Sequence, residues 1–121
     1  MNAVHLVGNI AGDIEVREFP ARDGGDDKFR AGFLFAVDRP VTDGGADFIR
    51  IIVWGIQARN LVKYNGNGSR IGIDGHIRGE WYEPPAVGKG PKPPRELRTH
   101  VVAERVEYLS AKRPAVAVEA A

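Results

Sequence analysis

Fifteen glycines and eight prolines cut this 121-residue chain into short runs rich in Val, Ile and Phe. Long helical periodicity is almost absent, and that combination is the pattern of a small antiparallel β-protein. The runs predict strands over residues 3–10, 28–38, 47–54, 70–82 and 99–109, with residues 14–19 continuing the first strand beyond a kink at Gly12. One segment, 57–64, has helical spacing instead: Ala58, Leu61 and Val62 share a side, and Gly66 and Gly68 follow as stop signals. Hairpin loops fall at 21–27, 40–46 and 83–97. The last holds five prolines and two glycines and predicts an extended, mobile arm carrying Lys89, Lys92 and Arg95.

Five strands with one short helix between the third and fourth is the arrangement of an all-β oligonucleotide/oligosaccharide-binding (OB) barrel. The length suits one such domain over residues 1–110 and a short disordered tail over 111–121, and is too small for two cores. With no cysteine, neither a disulfide framework nor thiolate metal ligation is available. Residues 1–6 carry no basic segment leading into an apolar run, and no apolar stretch approaches the roughly 20 residues of a bilayer helix, so a cytoplasmic protein is expected. Net charge is only +1, from 17 basic and 16 acidic residues. If the partner is an acidic polymer, the charge must be sorted in space, with the hairpin carrying Asp23, Asp26 and Asp27 away from the binding face.

The third strand is the most informative segment, because side chains alternate between the faces of a sheet. Asp47, Ile49, Ile51 and Val53 fall on one face and can fill a barrel; Phe48, Arg50, Ile52 and Trp54 fall on the other. That second set puts two aromatics around an arginine: π-faces for unstacked bases and a cation for phosphate. The same pattern also fits packing of Phe48 and Trp54 under a loop or a second subunit. In the fourth strand Ile71, Ile73, Ile77 and Trp81 share the parity expected of the core, while Arg70, Asp74, His76, Arg78 and Tyr82 share the other. Tyr82 is thus the expected base-stacking member and Trp81 the structural one; a bulge near Gly79 would exchange them.

Catalytic chemistry finds no support. His5, His76 and His100 sit singly, without the spacing of metal ligands. The Gly88–Gly90 stretch GKG lacks the spaced leading glycine and the hydroxyl residue of a phosphate-binding P-loop, and no nucleophile, base and orienter come together. No enzyme activity, metal or cofactor is therefore expected.

Six segments in order, MNAVHLVGNI, DIEVR, FLFAVDR, DFIRIIVWGIQARNLVKY, GSRIGIDGHIRGEWYE and HVVAERVEYL, resemble the bacterial single-stranded DNA-binding proteins, and the likeness covers roughly residues 2 to 109. The resemblance implies sequence-tolerant coating of single-stranded DNA in replication, recombination and repair, with nucleoid association. It implies base stacking by Phe48, Trp54 and Tyr82 and a phosphate contact by Arg50. Arg17, Arg39, Arg70, Arg78, Lys89 and Lys92 complete the expected DNA-binding set. It also implies a homotetramer built by pairing first strands, with which the apolar residues on both parities of residues 3–9 are compatible. Two departures stand out: Pro40 and Val41 occupy the place of a further stacking aromatic, and Glu119, Ala120 and Ala121 offer no acidic, Phe-tipped end for recruiting repair or replication proteins. A tailless paralogue or phage-type version is the expectation. The alternative is an accessory protein of the primosome type that uses the same barrel mainly to contact proteins.

Overall fold

The computed structural model describes residues 1–20, 28–40 and 44–110. The hairpin with Asp23, Asp26 and Asp27, Val41, and the tail from 111 onward lie outside the described residues. Five strands and one helix follow in the order β1 (Val4–Phe19), β2 (Lys28–Asp38), β3 (Ala46–Trp54), α1 (Ile56–Tyr64), β4 (Arg70–Tyr82) and β5 (Glu96–Tyr108). The sheet closes on itself as β1-β2-β3-β5-β4, the five-stranded barrel with a helix between β3 and β4 that the punctuation predicts. The narrowest seam is β3 against β5, paired in parallel through Ile51–Val101 and Ile52–Val102.

β1 serves two neighbours by bending. Its first half pairs with β4 from Val4–Gly75 to Asn9–Arg70, and its second half pairs with β2 as far as Phe19–Lys28. The bend is at Gly12, whose φ of 89° lies where a side chain is strained, and the register shifts between Ala11 and Glu15. Close approach of backbones closes the ring elsewhere: a Cβ on Gly8 would collide with the carbonyl of Ala36, and one on Gly75 with that of Val102. Gly75 adjoins a second irregularity. Asp74 pairs with Arg105 but Gly75 with Ala103, so Glu104 is an extra residue on β5. Gln57 on α1 takes up the backbone groups this bulge frees, donating from Nε2 to the Glu104 carbonyl at 2.8 Å and accepting at Oε1 from the Val106 N–H at 3.2 Å.

The core is filled by alternate residues of every strand. Ile10, Phe33, Phe35, Ile51, Val53, Ile71 and Ile73 are essentially inaccessible, and α1 plugs one end with Ala58 and Leu61. Val62 packs against the same cluster. Ile49 joins it as expected, whereas Asp47, at the strand's open end, is exposed and paired with Arg39.

Beyond Gly75, β4 leaves the barrel. β1 begins at Val4, opposite Gly75, so among the described residues no third strand covers the far half of the β4–β5 hairpin, which stands out as a two-stranded arm. This corrects the expected burial of Ile77 and Trp81. They keep the inward parity, but among the described residues no strand or helix of the barrel packs on that side of the arm, and they are 48% and 61% exposed. The arm's root is held by Asn2, whose side chain donates to the Ile77 carbonyl at 2.7 Å and accepts from the Ile77 N–H at 2.8 Å, extending the β1 ladder by one rung.

Candidate nucleic-acid interface

Residues paired across strands project from the same face, so register converts the strand list into a map of the barrel's exterior. One row runs Arg17–Arg30–Trp54 across β1, β2 and β3; parallel to it run Gly32–Ile52 and Leu34–Arg50, then Ala36–Phe48. Ile52 is on this outer face and yet buried. Its neighbour across the strand is Gly32, and with no side chain there the Ile52 Cδ1 and the Arg50 guanidinium settle over the vacant position. The result is a floor of aliphatic carbon with aromatics standing at both ends: Phe48 is 64% exposed and Trp54 44%.

Trp54 has company. The Phe19 ring lies 6.0 Å from it, tilted by 32°, the Arg30 guanidinium is 5.9 Å from its centroid, and Arg17 is 5.7 Å from the Phe19 ring. Such alternation of cation and ring offers bases a stacking surface and phosphates a charge. Arg50 Nη2 donates to Glu15 Oε2 at 3.2 Å, but both partners are well exposed, so the pair is worth at most about 1 kcal/mol and can be exchanged for a phosphate.

The arm continues the face. The even residues of β4 carry it, with Arg78 opposite His100 and Tyr82 opposite Glu96. The Arg98 guanidinium sits 3.7 Å above the Tyr82 ring, and Arg95 lies 4.8 Å from Trp81 on the reverse side. Tyr82 and Trp81 thus keep the faces the alternation assigns them; the bulge is at Glu104, not near Gly79. His100 is half-buried among these cations. Desolvation pulls its pKa below the ordinary imidazole value; Glu80 opposes that, and Arg78, Arg30 and Arg50 add to it.

The match to known sequences covers this whole surface: the model of the single-strand binding protein family matches residues 1–109. The chain belongs to that family. Among the relatives it is similar to is Single-stranded DNA-binding protein 3 of Listeria innocua, 36% identical over 117 residues, which cover 93% of this chain and 66% of the relative. The Single-stranded DNA-binding protein of Clostridium tetani is 36% identical over 90% of this chain and 70% of its own. That of Thermosynechococcus vestitus is 33% identical over 93% and 86%. The chain thus spans about two thirds of the first of these relatives.

On this single-strand binding fold the ten sequence-derived residues do not all gather. Phe48, Arg50, Trp54, Arg17, Arg78 and Tyr82 lie on the face just mapped. Arg39 lies near the Phe48 end of β3 but donates to Asp47 at 3.0 Å, on the opposite parity from Phe48. Arg70 shares Phe48's row through Asn9 and Ala36 but stands three strands round the barrel, donating to Asn9 Oδ1 at 3.1 Å. In the loop beyond the arm Lys92 pairs with Glu83 at 3.0 Å, and Lys89 is exposed in its turn. Phe19, Arg30, Arg98 and His100 were missing from the sequence-derived set. Cross-strand register is the signal that places them, and it depends on where each connecting loop sets the pairing, which the strand sequences alone do not state.

Among the described residues no group of His, Asp or Glu could hold a metal, and no helix is long and apolar enough to cross a membrane.

Proposed function

We propose that this chain binds and protects single-stranded DNA without sequence preference, and serves replication, recombination and repair in that capacity. The observation that carries the reading is the pair of exposed aromatics, Phe48 and Trp54, set at the two ends of an arginine-bearing β3 face. Bases stack on Phe48, Trp54 and Tyr82, with Phe19 backing Trp54. Arg17, Arg30, Arg39, Arg50 and Arg78 take phosphates, and Lys89 and Lys92 extend the basic track along the loop. Arg70 serves a strand that wraps round the barrel. The names of the relatives, single-stranded DNA-binding proteins, support the same partner.

Self-association into a homotetramer belongs to this proposal. Val7, on the outer side of β1, is half exposed and stands over Gly72 beside Leu109. That apolar patch suits the pairing of first strands between copies.

The ionic part of the proposal is tested by salt. Replacing Arg50 by Ala should flatten the slope of log affinity against log salt for a thymidine oligonucleotide by about 0.7, one phosphate contact on a single strand. An unchanged slope removes Arg50 from the interface. A second reading, an accessory protein that mainly contacts proteins, is favoured by one feature: the exposed apolar strip of Ile77, Trp81 and Leu97 on the reverse of the arm, flanked by Arg95. Failure to bind the oligonucleotide at low salt would favour that reading.

A further inference from the structure

His100 lies at the centre of the face. Two residues before the paired Ile52 and Val102, on the same side of β3 and β5, stand Arg50 and His100, and across the next strand His100 opposes Arg78. We propose that His100 is a proton-dependent phosphate ligand: a backbone phosphate seated among Arg50, His100 and Arg78 draws a proton from solvent onto the imidazole, so that binding is coupled to proton uptake. This rests on the single-stranded DNA reading of the same face.

The surrounding charges determine the sign. Arg30 reaches His100 from β2, Arg50 from β3 and Arg78 from β4, while Glu80 on β4 opposes them. Along β5 itself Arg98 precedes it on the same side. Arg50 and Arg78 each have a weak exposed carboxylate partner, Glu15 at 3.2 Å and Glu80 at 3.9 Å, so neither is tied to it firmly. In the free protein burial and the arginines keep the imidazole neutral to a lower pH than usual. A phosphate cancels the arginines' field and adds an acceptor for an imidazole N–H, which raises the pKa in the complex. Affinity is then constant above the pKa of the complex and rises as pH falls through the interval between the two pKa values. Below the free pKa it levels off. Each unit by which DNA raises the pKa appears as about tenfold in affinity. His76, next on this face and 3.5 Å from Glu104, is the competing titratable group and supplies the control.

The test uses the full chain and a thymidine oligonucleotide, whose bases do not titrate in this range. Calorimetric titrations in buffers of different ionisation enthalpy, near pH 6 and near pH 8, count protons taken up. Uptake is expected near pH 6 and to vanish at high pH. It should be lost in H100Q, and lost in H100K while affinity stays at its low-pH level throughout; H76Q should retain it. Uptake that persists in H100Q, or tight binding by the wild type with no uptake at either pH, overturns the proposal. Absence of binding at every pH overturns the DNA reading itself, and with it this one.

Discussion

Replacing Ile51 by Asp is expected to abolish folding, whereas replacing Phe48, three positions earlier, by Asp should not. Ile51 is fully inaccessible, pairs with Phe33 across β2 and with Val101 across the narrow β3–β5 seam, and belongs to the core cluster. Among the described residues no polar or charged side chain is buried, so a carboxylate there meets no partner in the barrel interior. It must either stay charged in an apolar surround or carry a proton at neutral pH, and either course costs several kcal/mol. The lost packing of a large aliphatic side chain adds about 2–5 kcal/mol. Against a total stability of about 5–15 kcal/mol for a domain of this kind, the sum is enough to empty the native state. Phe48 is 64% exposed, so Phe48→Asp removes little buried surface. Circular dichroism and urea titration of the two variants decide the matter. A folded Ile51→Asp beside an unfolded Phe48→Asp would mean that the faces of β3 are reversed.

The second large effect is on binding. Phe48→Ala and Trp54→Ala should each weaken affinity for a thymidine oligonucleotide by about 1–3 kcal/mol, the worth of one base stacked on an aromatic ring. The two positions are six residues apart on one extended strand, or about 20 Å, far enough for their effects to add. The double variant should therefore lose about 2–6 kcal/mol in all, detectable by fluorescence anisotropy of labelled oligonucleotide. Trp54→Ala should also cost slightly more stability than Phe48→Ala, because Trp54 leans on Phe19 and Arg30. Both variants should remain folded, since neither ring enters the core.

Much of the architecture was legible because two signals agreed. Between Gly- and Pro-rich breaks, apolar runs marked where strands lie; residues 28–38 and 70–82 match β2 and β4, and the helix differs only by starting at Ile56. Within β3, alternation separated Ile51 and Val53 from Phe48, Arg50 and Trp54. Alternation gives parity, however, and not what stands opposite. Ile77 and Trp81 have the parity of Ile71 and Ile73, yet β1 reaches no farther along β4 than Gly75, and among the described residues no strand or helix covers the inner side of the arm. Ile52 fails the other way: it is outward-facing but covered, because Gly32 leaves room for it and for Arg50. On β5 parity itself changes, with Val101 and Ala103 facing inward before Glu104 and Val106 after it. The strand's own pattern marks no such step. Phe19, Arg30 and His100 escaped for the same reason. Each gains its place from a partner on another strand, and the register that brings the two together is a tertiary fact.

Stacking of bases on the Phe48–Trp54 face of β3 can be read out in the Trp81→Phe protein, where Trp54 is the remaining tryptophan of the chain's two. Titration with a thymidine oligonucleotide should quench Trp54 fluorescence to a saturating level, and adding salt should restore it as phosphate contacts are lost. Saturable binding of the oligonucleotide with the emission of Trp54 unchanged would mean that bases do not stack on this face.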